Sequence, residues 1–552
     1  MRKIILLSIL YISTTSFLFA QTIETGSENP YKNTMRTKGK IIKVSKEGFW
    51  VLMMDDISAL TLMNNKYSIE RYDAKMNLLS TTKLECPIIN MKEYDMDYLI
   101  TSGDDILLLT SYEDKITFKT SLKLFKINKE GSIEKTPVTE WTTDGIKYDK
   151  FVVYSPDSSK FAVMLSIIRS RDDKILSMPL LDINKKSFRA SNFINYWVFE
   201  KEKEVYSKTN IEINHNDLQF MPTQFFLSTK NDLLITTEYE STKTNENKNI
   251  RYKCALWKAN ATTDEVQKIT LSPLDAYYFN WNISWANNNS TLDIFGTYNL
   301  IDSKDTQGIF FIGVDLEKFS TVETFKTILP EEIFTKVSYS LASKKTLLSF
   351  YLNQVYNLKS DTKILVLEYN NSSAVVNRTY YDPNSGSGSS FSSTNNQTRY
   401  GDIAFIAIDN EGKIKWVEVI KKETFSYGCR YPESKDQRYF KEYLNFSCSD
   451  VDYINSYIPT FNENSVSVFF HDGYKSKDYI KREFAPSLDK QSLPKTLFVK
   501  CTFNENGFVE SKVILDQSTS ENLWRTSMYN QSADGLLIYT ESKKSFKWIK
   551  VR

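Results

Sequence analysis

Short apolar runs bounded by turn residues recur along the whole chain. FWVLMM, ILLLTS, FAVMLSII, LLITTEY, TLDIFGTY, TLLSFYL, SVSVFF and GLLIYT each follow a tight polar turn, at residues 45–48, 102–105, 155–158, 228–231, 287–290, 342–345, 461–464 and 531–534. Runs of this length, rich in β-branched and aromatic residues, predict strands joined in hairpins. A second set of turns follows at a regular distance, in ERYDAKMNLL, FKINKEGSIE, LLDINKKSFR, LWKANATTDEV, IGVDLEKFSTV, AIDNEGKIKWVEV and CTFNENGFVESKV. In most of these an Asp or Asn (Asp73, Asn128, Asp315, Asp409, Asn504) ends the incoming strand, where its short side chain can bond backbone amides two residues on. Gly131, Gly412 and Gly507 then supply a positive φ at little steric cost.

The order strand, tight turn, strand, variable connection, strand, tight turn, strand repeats about every 55 residues where the connections are short. A period of that size predicts a repeat array, not three or four separate domains. A four-stranded sheet cannot bury both faces alone, and a radial ring of such sheets protects faces and edges together. The expected fold is therefore an all-β β-propeller of eight four-stranded units, with seven blades as the fallback. The last unit ends on KSFKWIKVR as a third strand, so a strand from residues 21–37 is expected to complete it and close the ring.

Residues Ser155 to Val163 resemble the S-P-D-G turn of TolB-type propeller repeats, also found in WD-repeat relatives. Pro156 presets φ for the turn and Asp157 caps it. Ser158 stands where the usual glycine would be, and the match covers this one turn. In that family the motif is structural, so the resemblance implies the fold and no activity.

In an up-and-down blade, first-to-second and third-to-fourth turns share one face of the ring. Second-to-third and inter-blade connections share the other. The tight turns all fall on the first face. The long segments, residues 192–222, 241–249, 353–400, 421–457 and 471–495, all fall on the second, with those at 353–400, 421–457 and 471–495 as the principal insertions. Lengthening a loop costs only about 0.6 kcal/mol per doubling, so a rigid ring carries such insertions easily, and loops on a rigid scaffold are where binding usually resides. Residues 382–397 (DPNSGSGSSFSSTNNQ) read as a Gly/Ser/Asn-rich mobile stretch. Beyond them Arg430, Tyr431, Arg438, Tyr439 and Tyr443 combine the residue types that dominate binding hot spots, and His471, Asp472 and Tyr474 belong to the same rim. The same aromatics could instead form a small local core. The runs NYWVFE and YYFNWNISW read as blade core.

Composition adds a compartment. Arg2 and Lys3, the apolar stretch from Ile4 and the end at Ala20 read as a signal peptide over residues 1–20, leaving a mature propeller domain of residues 21–552 that is exported to the periplasm or cell exterior. No later apolar stretch reaches membrane-spanning length. The formal charge of +2, with Lys and Arg dispersed, predicts no nucleic-acid partner. Among five cysteines, Cys429 and Cys448 are the expected disulfide, and Cys254 and Cys501 lie in apolar runs as small buried hydrophobes. No C-x-x-C pairing, P-loop, H-E-x-x-H or nucleophile elbow occurs, so no metal or cofactor is expected. The two histidines, His215 and His471, fall in different units. The chain reads as an exported non-enzymatic binding or scaffold protein for a protein or glycan partner. The alternative is a carbohydrate-active enzyme using paired carboxylates in the propeller funnel.

Overall fold

The computed structural model describes residues 23–552 apart from 31–36, 56–65, 86, 145–148, 169–190, 215–218, 241–252, 264, 272–275, 286–289, 301–306, 338–349, 377–393, 430–456, 474–478, 480–486, 489–495, 517–522, 533–534 and 543–544. It is an eight-bladed β-propeller. Blade 1 consists of Thr37–Ser45, Gly48–Asp55, Lys66–Asp73 and Leu78–Leu84, and blade 2 of Asp95–Ser102, Asp105–Asp114, Lys119–Ile127 and Thr139–Asp144. Blade 3 is Asp149–Tyr154, Lys160–Ile168, Ser191–Glu200 and Lys203–Asn214; blade 4 is Gln219–Leu227, Leu233–Glu240, Lys253–Ala259 and Val266–Thr270. Blade 5 is Ala276–Trp285, Thr291–Leu300, Gly308–Asp315 and Ser320–Ile328; blade 6 is Phe350–Asn357, Lys363–Val376, Thr394–Ile408 and Ile414–Ile420. Blade 7 is Ile458–Asn462, Ser465–Asp472, Leu497–Asn504 and Gly507–Asp516. Blade 8 has only Leu523–Ser532, Gly535–Glu541 and Ser545–Val551 from the end of the chain, and Ile23–Thr25 pairs antiparallel with Ile549–Val551 as its fourth strand.

First strands of neighbouring blades approach one another, which places them nearest the axis. Burial follows from that arrangement. A middle strand is covered on both faces by adjacent blades, so no residue of Asp105–Asp114 or Gly308–Asp315 is exposed and most are buried. An outermost strand meets solvent on one side and alternates, as Leu78–Leu84 and Thr139–Asp144 do. The buried side chains of the described residues fall into eight clusters, one for each junction between blades. Tyr196, Trp197 and Phe199 of NYWVFE lie in the two clusters flanking blade 3.

The short turns fold as their residues dictate. Asn128 Oδ1 accepts bonds from the amides of Glu130 and Ser132 (3.1 and 2.8 Å), and Asp409 Oδ1 from those of Glu411 and Lys413 (3.0 and 2.8 Å). Ser158 adopts φ +54°, the left-handed conformation that glycine takes most readily. These turns also lace each blade to the next. Lys126 Nζ reaches Glu202 at 2.6 Å, Lys160 Nζ reaches Asn231 Oδ1 at 2.9 Å and Lys258 Nζ donates to the Leu316 carbonyl at 2.6 Å. Trp416 Nε1 donates to the Glu505 carbonyl at 3.0 Å and Gln531 Nε2 to the Phe461 carbonyl at 3.0 Å.

Two units are divided differently from the expectation. Of residues 192–222, expected as an insertion, most belong to the third and fourth strands of blade 3 and the first of blade 4. Their turn is Lys201–Glu202, with Lys201 at φ +56°, and it carries neither Gly nor Asn to announce it. The stretch LLDINKKSFR, expected to form this turn, is residues 180–189 and lies outside the described residues. In blade 6 the first turn is residues 358–362, closed by the Leu358 amide on the Thr362 carbonyl and the reverse-handed Asp361 (φ +60°), while 342–345 lie outside the described residues. Residues 353–400 are therefore largely strand: they comprise the end of Phe350–Asn357, all of Lys363–Val376 and the start of Thr394–Ile408. Within 382–397, expected to be mobile, Asn395–Gln397 are paired on both sides and Thr394 with Val376 alone.

Removing residues 21–30 deletes the strand that completes blade 8, so amide exchange in Ser545–Val551 is expected to accelerate and the melting temperature to fall by several degrees, while exchange in blade 4 stays as it was. Hydrogen exchange by mass spectrometry reads both regions in one experiment.

Candidate functional site

Blade 6 is built to extend beyond the ring. Its second and third strands pair continuously from Lys363↔Ile408 to Val376↔Thr394, with one irregularity between Glu368 and Asn370. A bulge bends a strand and raises its twist, and here it marks where the hairpin leaves the blade. Past the fourth strand the chain does not pass directly to blade 7. Glu423–Cys429 returns along the hairpin and pairs antiparallel with Asn395–Tyr400, making the projecting part a three-stranded arm. From blade 7, Ser487–Leu488 pairs parallel with Glu423–Thr424. The insertions of blades 6 and 7 thus form one assembly on one face.

The root of the arm holds an ion pair. Lys422 Nζ lies 3.0 Å from Glu368 Oε1, with the two side chains 1% and 5% exposed, and the Lys422 amide donates to Asp402 Oδ1 at 3.2 Å. Asp402 and Thr424 are buried as well. Gly401 is required here, because a Cβ at that position would stand 2.8 Å from the Tyr369 ring. Charges removed from water must be paired, so Glu368 and Lys422 tie the departing hairpin to the returning strand.

Blade 7 supplies the adjoining wall. His471 and Asp472 end Ser465–Asp472 and are both buried. His471 Nδ1 lies 3.2 Å from Thr496 Oγ1, and its ring packs on Phe498 with centroids 5.2 Å apart. Asp472 Oδ1 accepts the Gly473 amide at 2.7 Å. Tyr479 is buried edge-on against Phe470. His471 and Asp472 therefore support the connection from within, a role their sequence neighbours gave no sign of. Arg430, Tyr431, Arg438, Tyr439, Tyr443 and Tyr474 lie outside the described residues, as does Cys448. Cys429 ends the returning strand, opposite Asn395. His215 also lies outside them. Cys254 and Cys501 are free and buried.

Sequence reading missed a second polar centre, on the first strands of blades 2 and 3. Asp97 is the extra residue of a bulge, and one carboxylate oxygen meets Lys150 Nζ at 3.1 Å. Its other oxygen has no hydrogen-bond partner among the described residues. Burial pushes the Asp97 carboxyl up, against the pull of the Lys150 ammonium. Burial pulls Lys150 down, but Asp97, Glu113 and Asp95 outweigh it and hold Lys150 above the usual lysine value. Among the described residues no group of three or more His, Cys, Asp or Glu is arranged to hold a metal ion, and no helix is long and apolar enough to cross a membrane.

No protein-family profile and no curated sequence matches the chain. Several solved structures match the chain at low identity and TM-scores below 0.5. Prolyl oligopeptidase B from Galerina marginata matches at 11% identity and TM-score 0.35, over 92% of this chain and 55% of its own, so this chain spans about half of that enzyme. The WD40 domain of SCAP from fission yeast matches at 8% identity and TM-score 0.34, over 96% and 98% of the two chains. The β-propeller domain of the Trilobed protease from Pyrococcus furiosus matches at 9% and 0.31, over 82% and 93%.

Two substitutions test the polar centres. Lys422→Met removes the ammonium facing the buried Glu368 carboxylate and is expected to cost about 3–5 kcal/mol, whereas the double variant with Glu368→Leu recovers most of it; denaturant titration of the three proteins measures both. Lys150→Met strands Asp97 beside Asp95 and Glu113 and costs a similar amount at neutral pH. Because the folded Asp97 pKa is already raised, its carboxylate is disfavoured in the fold above that pKa. The variant's deficit should therefore shrink as pH falls and Asp97 takes up a proton, a trend read from unfolding midpoints across a pH series.

Proposed function

We propose that this chain is an exported, non-enzymatic β-propeller that binds a protein or glycan partner through the blade 6 and blade 7 rim of its insertion face. The observation that carries this reading is the union of the two insertions into one arm through the pairing of Ser487–Leu488 with Glu423–Thr424. Loops that served only as connections have no reason to share a sheet, whereas a rigid ring carrying a joined elaboration suits recognition. Arg430, Tyr431, Arg438, Tyr439 and Tyr443 follow the returning strand in sequence and supply the hot-spot chemistry. The leader-like residues 1–20 support export, and an oxidising compartment suits a Cys429–Cys448 bridge at the far end of that strand. The S-P-D turn at Ser155 supports a TolB-type ancestry for the ring.

The test is capture from the envelope fraction of the native cell by the immobilised mature chain. Replacing Arg430 and Tyr431 together by alanine is expected to lower partner recovery at least about tenfold, with the melting temperature unchanged. Recovery equal to that of the parent would remove the rim from consideration.

A further inference from the structure

Large apolar side chains at a protein surface are usually scattered singly. Here the two most exposed among the described residues, Met91 (98%) and Ile116 (90%), stand on neighbouring turns, with Ile88 (73%) on the same hairpin as Met91. Each turn is fixed from below. Residues 85–94 link blade 1 to blade 2 through a short hairpin that pairs Ile88 with Glu93 and Ile89 with Lys92. Its reversal is Asn90–Met91, both left-handed (φ +49° and +61°), so Met91 falls at the apex. Alternation turns Ile89 inward against the core shared by blades 1 and 2 and leaves Ile88 on the outer side. The second turn joins Asp105–Asp114 to Lys119–Ile127, and Asp114 Oδ1 accepts the amides of Ile116 and Thr117 (2.9 and 3.2 Å), which holds Ile116 at the tip. Lys92 clamps the two turns together: its Nζ lies 3.3 Å from Asp114 Oδ2 and 4.7 Å from the centre of the Tyr112 ring, which in turn packs on Tyr94. One turn is an inter-blade connection and the other joins a second to a third strand, so both belong to the insertion face.

Projection and charge together indicate what meets these tips. Side chains this exposed touch almost nothing of their own chain. A protein partner would need a fitted hollow for each of them, whereas a bilayer receives projecting apolar groups without any match of shape. Among residues 87–93 and 113–119 the exposed charged groups are Lys92, Lys115 and Lys119 against Glu93, while Glu113 and Asp114 are half-buried and Lys119 lies 3.8 Å from Asp144. Lysines beside an apolar tip keep their ammonium groups at the level of lipid phosphates while the apolar groups enter the headgroup and acyl boundary. Anionic headgroups complement that excess of exposed ammonium groups.

We propose that the Met91 and Ile116 turns dock the insertion face on a bilayer surface bearing anionic lipids, with Ile88 and the three lysines at the margin of the contact. Blade 2 stands four places round the ring from blade 6, so this contact is separate from the partner-binding rim and does not rest on it.

Flotation of the mature chain with vesicles of phosphatidylcholine, alone or with about 30 mol% phosphatidylglycerol, provides the test. The chain is expected to float with the mixed vesicles and several times less with phosphatidylcholine alone. The double variant Met91→Asp, Ile116→Asp should bind the mixed vesicles roughly tenfold more weakly and Lys115→Glu about threefold more weakly, whereas Val322→Asp, at an exposed apolar position on the outer strand of blade 5, changes binding less than about twofold. Equal melting temperatures and equal amide exchange in residues 105–127 keep the comparison free of folding effects. No flotation of the parent with mixed vesicles, unchanged flotation of the double variant, an equal loss in Val322→Asp, or equal binding to the two kinds of vesicle would each overturn the inference. So would a parent that stays off the vesicles but sediments as a dimer that the double variant abolishes, which would make the tips an interface between copies of the chain.

Discussion

Face-to-face burial between neighbouring sheets is the constraint on which the rest of this molecule depends. A blade has two apolar faces and no means of covering either by itself, and the eight clusters of buried side chains each draw on two adjacent blades. Middle strands are consequently buried at most positions, and outer strands alternate. The hairpin turns then become more than connectors. Lys126, Lys160 and Lys258 bind the turns of the following blade, so the tight-turn face is committed to holding the ring together. Elaboration is left to the opposite face, where a longer segment disturbs no such contact.

Much of this was legible in the residues because turn chemistry and strand period are local. Asp and Asn at strand ends, with a reverse-handed residue after them, mark turns wherever the sequence has them, and the closing strand could be located by noticing that the last unit was one strand short. Blade 3 resisted because its third turn is Lys201–Glu202, which adopts a left-handed φ without any residue that favours one. Blade 6 resisted for a different reason. Its second strand runs from Lys363 into Asn370–Ser373, residues of low β-propensity that are held in register by partners distant in sequence. Pairing overrides propensity there, and no single-strand pattern records it.

The candidate site was less legible still. Spacing indicated that the insertions share a face, but not that Ser487–Leu488 joins Glu423–Thr424 or that Lys422 and Glu368 meet beneath them. His471 and Asp472 illustrate the gap: their types suggested an exposed recognition pair, whereas the fold uses them as buried supports. The Asp97–Lys150 pair was invisible for the same reason, since its two members stand on different blades. Ionic contacts between blades are a property of the ring, not of any one repeat.

The pairing of Ile23–Thr25 with Ile549–Val551 joins nearly the first residues to the last. Whatever order the intermediate blades assemble in, the circle stays an open horseshoe until Ser545–Val551 has been made and paired, with apolar flanks of the first and eighth blades bare, Val51 and Tyr539 among them. Through that interval the nascent chain offers apolar surface and an unpaired strand edge to any neighbour, the condition in which incompletely folded chains associate wrongly.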